Sequence, residues 1–200
     1  REHHLVALAV GDLIADAAHQ LLGAGKERFR IADEEGADLS FAADAEINAV
    51  VGVLRSDRLA LGPKLTEFEA EFTRRLGVKH AICCSSGTAG LHMLWHSIGI
   101  GPGDEVITTP FSFIASANCL LFEGAKPVFA DIDPRTFNID PALVERRITP
   151  RTKAILAVDV FGYPADWDAL QAIARQHQLQ LIEDSCEALG AEYRGRKAGT

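Results

Sequence analysis

The chain has 200 residues, of which 48% are hydrophobic and 24% charged, with 17 Gly and 8 Pro. That is enough apolar material for a large core, and it excludes a disordered or fibrous protein. Twenty Lys and Arg against 28 Asp and Glu leave a formal charge of −8, which opposes sequence-independent nucleic-acid binding, where cations must neutralise phosphates.

In chain order, residues 1–40 are the least informative. Leu5 to Val10 is an apolar run too short for a membrane span or a secretory h-region, and Asp12 and Asp16 follow it. No membrane association is expected. Ile14, Ala17, Ala18 and Leu21 recur at helical spacing, Gly23 and Gly25 end that pattern, and Lys26 to Ser40 reads as a loop or flexible extension. The first residue is Arg1 and the single methionine is Met93, so incompleteness at either end is expected.

From Ala45 the signal sharpens. Ile47, Val50, Val51 and Leu54 mark one face of a helix, and Gly62-Pro63 breaks the chain. Leu65, Phe68, Phe72 and Leu76 mark a second helix stopped by Gly77. Beyond it strands and helices alternate: strand 81–85, a helix carrying Leu91, Leu94, Trp95 and Ile98, strand 105–109, helix 112–123 and strand 127–131. Asp140-Pro141 then opens a helix with an N-cap carboxylate and a proline at its first position. Strand 154–158, helix 166–176 and strand 179–184 complete the series. The strands are continuous apolar runs, as expected where helices cover both faces of a mostly parallel sheet. The fold class expected is α/β, three-layer and doubly wound.

Ligands of such sheets bind beyond the carboxyl ends of the strands. Ser85-Ser86-Gly87-Thr88 follows a strand and opens a helix, where unpaired N–H groups suit a phosphate; the plainer reading is a simple helix cap. Asp184 ends the last strand, where a carboxylate could pair with a cationic ligand atom, or merely cap a loop. Pro110-Phe111-Ser112-Phe113 puts aromatic rings after a strand, for a flat ligand or for the core. Together, a phosphate cradle, an aromatic plate and a buried carboxylate are what pyridoxal phosphate requires, the carboxylate keeping the pyridine nitrogen protonated.

Other signals carry less. Gly99, Gly101 and Gly103 come after a helix and before a strand, the wrong order for a dinucleotide fingerprint, and form a turn. His92 and His96 stand four apart without a visible third ligand, so no metal site is expected and they read as solvated or partner-facing. Cys83, Cys84, Cys119 and Cys186 show no zinc spacing and read as reduced cytosolic core residues.

A longer series of motifs carries a family resemblance. It comprises Leu59-Ala-Leu-Gly-Pro63, Ser85-Ser-Gly-Thr88, Gly101-Pro-Gly-Asp-Glu-Val-Ile107, Gly124-Ala-Lys-Pro-Val-Phe129, Asp131-Ile-Asp133, Asn138-Ile-Asp140, Thr149-Pro-Arg-Thr-Lys-Ala154, Gly162-Tyr-Pro-Ala-Asp166 and Glu183-Asp184. In order and spacing, from about Asp44 to Thr200, the chain resembles the sugar aminotransferases of the DegT/DnrJ/EryC1/StrS family, fold-type I pyridoxal phosphate enzymes. The resemblance implies that residues 44–200 are the large, cofactor-binding domain without the small C-terminal domain, and that residues 1–43 are an N-terminal extension. It implies that Gly87 and Thr88 hold the cofactor phosphate, Phe113 stacks on the pyridine ring and Asp184 pairs with its nitrogen. Glu187 stands where the family commonly has glutamine, near the cofactor's 3-hydroxyl. The Schiff-base lysine is expected after Thr200, and Lys197 is read as a surface lysine. The implied function is transamination of a nucleotide-linked keto-deoxysugar, with glutamate or glutamine as donor, by a cytoplasmic homodimer in deoxyaminosugar, polysaccharide or antibiotic biosynthesis. The alternatives are a pyridoxamine phosphate-dependent sugar dehydratase of the same family and a truncated, non-catalytic fragment.

Overall fold

A computed structural model describes the backbone of residues 6–9 and 40–200, and side chains from residue 46 onward. The helical spacing at 14–21 lies outside the described residues, as does the loop read over residues 26–40 except Ser40, which is helical. Two helices, α1 (Ser40–Leu54) and α2 (Pro63–Leu76), precede the main sheet. Proline at the start of α2 and Gly77 at its end, with φ of +73°, bound the second helix as its sequence requires. The short strand β1 (Val6–Ala9) pairs in parallel with β2 (Ala81–Cys84), and β2 runs straight into α3 (Gly87–Ser97).

The main sheet has four parallel strands in the order β4-β3-β5-β6. They are β3 (Glu105–Thr108), β4 (Lys126–Phe129), β5 (Thr152–Val158) and β6 (Gln180–Asp184). Their connections are α4 (Ala115–Phe122), α5 (Pro141–Arg147) and α6 (Trp167–His177). Most boundaries fall within two residues of the sequence reading. The exceptions are α1, which starts at Ser40 rather than near Ala45, and α4, which starts three residues later than expected because Ser112, Phe113 and Ile114 form a loop before it. The Asp140 carboxylate caps α5 by accepting from Ala142 N at 2.8 Å. Between Glu105 and Val106 the β3–β5 ladder shifts register. Glu105 faces Thr152 and Val106 faces Ala154, so Lys153 is a surplus residue.

Alternation along the central strands divides the core in two. Ile107, Ile155 and Ala157 point to one face, where Val144 of α5 and Trp167, Leu170 and Ile173 of α6 cover them. Val106, Ala154 and Leu156 point to the other, beneath Leu91 and Trp95 of α3 and Cys119 and Leu120 of α4. Helices therefore cover both faces of a parallel sheet, the three-layer α/β class expected. Trp95 Nε1 donates to Cys119 Sγ at 3.1 Å across the α3–α4 contact, and burial pushes the Cys119 thiol up to about 11. The core reading holds for Cys119 alone among the four cysteines: Cys83 and Cys84 are half-buried and Cys186 is exposed. A two-stranded antiparallel hairpin, β7 (Glu192–Tyr193) and β8 (Arg196–Lys197), follows the sheet. Among the described residues no helix is long and apolar enough to cross a membrane.

Candidate functional site

Ser86 caps α3, its side-chain oxygen accepting from Ala89 N at 3.1 Å while its carbonyl accepts from Gly90 N. Among the described residues the N–H groups of Gly87 and Thr88 are left without an acceptor. They sit at the positive end of the helix beside the Thr88 hydroxyl, a donor set suited to a phosphate.

A second helix start converges on Asp184. Thr109 Oγ1 accepts from Phe111 N at 3.0 Å and turns the chain out of β3. In the loop that follows, the hydroxyls of Ser112 and Ser116 lie 2.9 Å apart, and Ser116 Oγ donates to Asp184 Oδ2 at 3.4 Å. Cys186 N donates to Oδ1 at 3.3 Å. Asp184 is 8% exposed, yet both of these bonds are long and, among the described residues, no Lys, Arg or His pairs with it. A carboxyl group this buried lacks the cation that would normally accompany its charge. Phe113, in the same loop, is 76% exposed. An apolar plate, a carboxylate short of a cation and unpaired amides at a helix start fit the ring face, ring nitrogen and phosphate of pyridoxal phosphate. Thr108 Oγ1, at the end of β3, is buried without a partner among the described residues.

Glu187 is engaged by the backbone of a neighbouring turn. Its Oε2 accepts from Phe161 N at 2.8 Å, in a short 3₁₀ turn, Val160–Gly162, where Phe161 has φ of +53° and Gly162 +83°. A Cβ on Gly162 would stand 3.2 Å from the Glu187 carbonyl, so glycine is needed there for space as well as for conformation. Glu187 thus fastens a strained corner. That corner presents Phe161 edge-on to Phe111, which also lies 5.7 Å from the ring of Phe137. Asn138 holds the other side, accepting from Val160 N and donating to the Tyr163 carbonyl. The result is an aromatic groove of about 540 Å³, with Arg135 at its rim.

The structure therefore joins the Phe113 loop to Asp184 through Ser116, which sequence reasoning passed over; its one signal was a hydroxyl one turn after Ser112. Asn138, Phe161 and Ser116 are contributed by segments far apart in the chain. Lys197 is on the exposed hairpin, donating to the Arg75 carbonyl, as read for a surface lysine. His92 and His96, read as solvated or partner-facing, both reach the one Glu123 carboxylate, at 2.8 and 3.4 Å, with His96 exposed and His92 half-exposed.

Residues 41–200 match the model of the DegT/DnrJ/EryC1/StrS aminotransferase family. Over 141 residues the chain is 51% identical to the GDP-perosamine synthase of Caulobacter vibrioides, covering 70% of this chain and 38% of that protein. Over 146 residues it is 47% identical to the UDP-2-acetamido-2-deoxy-3-oxo-D-glucuronate aminotransferase of Pseudomonas aeruginosa, covering 73% of this chain and 41% of that one. Spr1654 from Streptococcus pneumoniae, solved in its PLP-form, superposes with a TM-score of 0.74 at 32% identity over 77% of this chain and 43% of its own. The chain spans about two fifths of the length of these relatives.

Proposed function

Given that the chain belongs to the DegT/DnrJ/EryC1/StrS aminotransferase family, we propose that it forms the cofactor-binding part of a pyridoxal phosphate enzyme. That enzyme moves an amino group from glutamate or glutamine to the keto group of a nucleotide-linked deoxysugar. Residues 44–200 are its large domain. The lysine that binds the cofactor covalently comes from a segment outside these 200 residues, and the active enzyme is a cytoplasmic homodimer serving aminosugar, polysaccharide or antibiotic synthesis.

The observation that carries this reading is Asp184, a nearly buried carboxyl group with two long hydrogen bonds and no cation among the described residues. When bound, the cofactor supplies an electron sink for the charge that develops at the donor's α-carbon. Asp184 holds a proton on the ring nitrogen and so keeps that sink effective. Gly87 and Thr88 would hold the phosphate, leaving Asp184 for the ring nitrogen. Phe113 covers one ring face and keeps water from it. Glu187 would stand near the ring's 3-hydroxyl while its carboxylate also holds the Phe161 corner.

The test uses the full-length protein. Wild type should retain pyridoxal phosphate through gel filtration and, with glutamate or glutamine, form an aminated product from a keto-sugar nucleotide. Asp184→Asn should keep the fold and lose at least ~100-fold in turnover, about 2.7 kcal/mol of transition-state stabilisation. Loss of water from the sugar without amine transfer would favour the dehydratase reading, and a wild-type protein that neither retains the cofactor nor transfers an amine would end the proposal.

A further inference from the structure

Glu183 precedes Asp184 and so projects from the opposite face of β6. Its Oε1 accepts from Gly199 N at 2.7 Å and meets Ser185 Oγ at 3.0 Å. Through the shared Ser185 hydroxyl its carboxyl group is brought against that of Asp159, the fully buried residue that follows β5. Asp159 is well supplied with donors. Its Oδ1 accepts from Ala165 N at 2.9 Å and Trp167 Nε1 at 3.1 Å, and its Oδ2 accepts from Ser185 Oγ at 2.7 Å.

Donors run out at Glu183. Ser185 has one hydroxyl proton, directed to the closer Asp159 oxygen, and two ionised carboxylates in contact have no donor between them at all. Among the described residues no Lys, Arg or His pairs with either group. The ionisable side chains nearby include the acidic Asp184 of β6, Asp166 at the start of α6, Glu187 in the following turn and Asp131 after β4, with the Cys119 thiol of α4 neutral; the nearby cations are engaged elsewhere, Arg135 with Asp133 and Lys197 with the Arg75 carbonyl. A second negative charge has nothing to offset it here.

We propose that Glu183 is a neutral acid in the folded protein, donating its proton to the Asp159 carboxylate, and that this pair is the positioning device that holds Asp184. Three donors make Asp159 the acceptor of the pair. The pair bolts the end of β6 to the end of β5, and the backbone repeats the link, with Asp159 N donating to the Asp184 carbonyl at 3.0 Å. Burial, with the adjoining Asp159 carboxyl, pushes Glu183 from 4.5 up to about 8, in agreement with the donor count. The sign follows: the native state keeps a proton that the unfolded chain has released, so this contribution to stability is whole below 4.5. It is lost progressively as pH rises towards 8. The pairing stands without the cofactor, whereas its effect on ligand binding rests on the role proposed for Asp184.

The experiment compares full-length wild type, Glu183→Gln and Glu183→Ala between about pH 6 and about pH 9. Glutamine keeps the neutral acid's donor and acceptor without its titration. Wild type should lose unfolding midpoint and at least ~3-fold in pyridoxal phosphate affinity across that range. Glu183→Gln should match wild type at the acid end and stay level, and Glu183→Ala should be weak throughout. The infrared spectrum of wild type should show a protonated-carboxyl band near pH 6 that fades by about pH 9. Equal pH dependence in wild type and Glu183→Gln, or no such band in wild type, would overturn the proposal. The band alone decides if Glu183→Gln fails to fold. A wild type that binds no cofactor would remove the functional reading and leave the unfolding and infrared arms to judge the pair.

Discussion

Helices α2 and α6 have similar lengths and similarly two-sided sequences, yet they are used differently. In α6 the apolar stripe of Trp167, Leu170, Ile173 and Ala174 is buried against the sheet. In α2 the corresponding stripe buries no residue, and the rings of Phe68 and Phe72 pack on each other, 5.0 Å apart. The contrast shows that amphipathic spacing states which side of a helix seeks cover, while strand order decides how much cover it receives. Four parallel strands lie beneath α6, whereas β2 stands apart from that sheet.

Truncation is the most severe way to break the comparison. Leu170→Ala should lower unfolding free energy by about 2–5 kcal/mol in urea titration, and Phe68→Ala, at a ring already 37% exposed, by less than about 1 kcal/mol. Equal losses would mean that α2 is as firmly seated as α6.

A second contrast uses two glutamates held at about 2. Hydrogen bonds from Arg74 and Arg75 hold Glu71 there on exposed α2. Glu105, buried in β3, is held mainly by Thr149 and Arg151, with Lys126 adding to the effect. Both contributions are present above 4.5 and lost as pH falls towards 2. Salt should separate them: in NMR titrations at about 1 M salt, Glu71 should move back towards its ordinary value while Glu105 stays low.

The helix ends sharpen the comparison further. Both helices finish in the left-handed region, α2 at Gly77 and α6 at Gln178, with φ of +56°. No atom lies within 4 Å of a Cβ placed on Gly77, so Gly77→Ala should cost about 1 kcal/mol through backbone conformation alone. Gln178→Gly should return about half a kcal/mol by relieving the same strain. Thermal melts of the two variants should therefore shift in opposite directions.

Local chemistry was legible in the sequence wherever it is settled by neighbours in the chain. Asp140-Pro141, Gly62-Pro63 and Gly77 announce their helix ends, and apolar runs announce buried parallel strands. Asp184 could be singled out because topology alone puts a strand's last residue at the binding edge. The Glu183–Asp159 contact joins positions 24 residues apart, and nothing in either local pattern marks two acids as partners. Phe161 was passed over because a bulky residue with positive φ has no composition signal; Gly162 beside it was the available hint. The β7–β8 hairpin turns through Arg194 and Gly195, both at positive φ, a two-residue turn whose glycine was readable but whose strands are too short to show alternation.

The surplus residue at Lys153 means that β5, which serves both apolar clusters, is not a single rigid ruler. From Ala154 to Val158 its spacing is dictated by β6, five pairs in unbroken step, while Thr152 answers to Glu105. A slip at the strand's entry can be taken up at Lys153 before it reaches the alternation that sends Leu156 one way and Ala157 the other, so errors made early in the strand need not reach its business end.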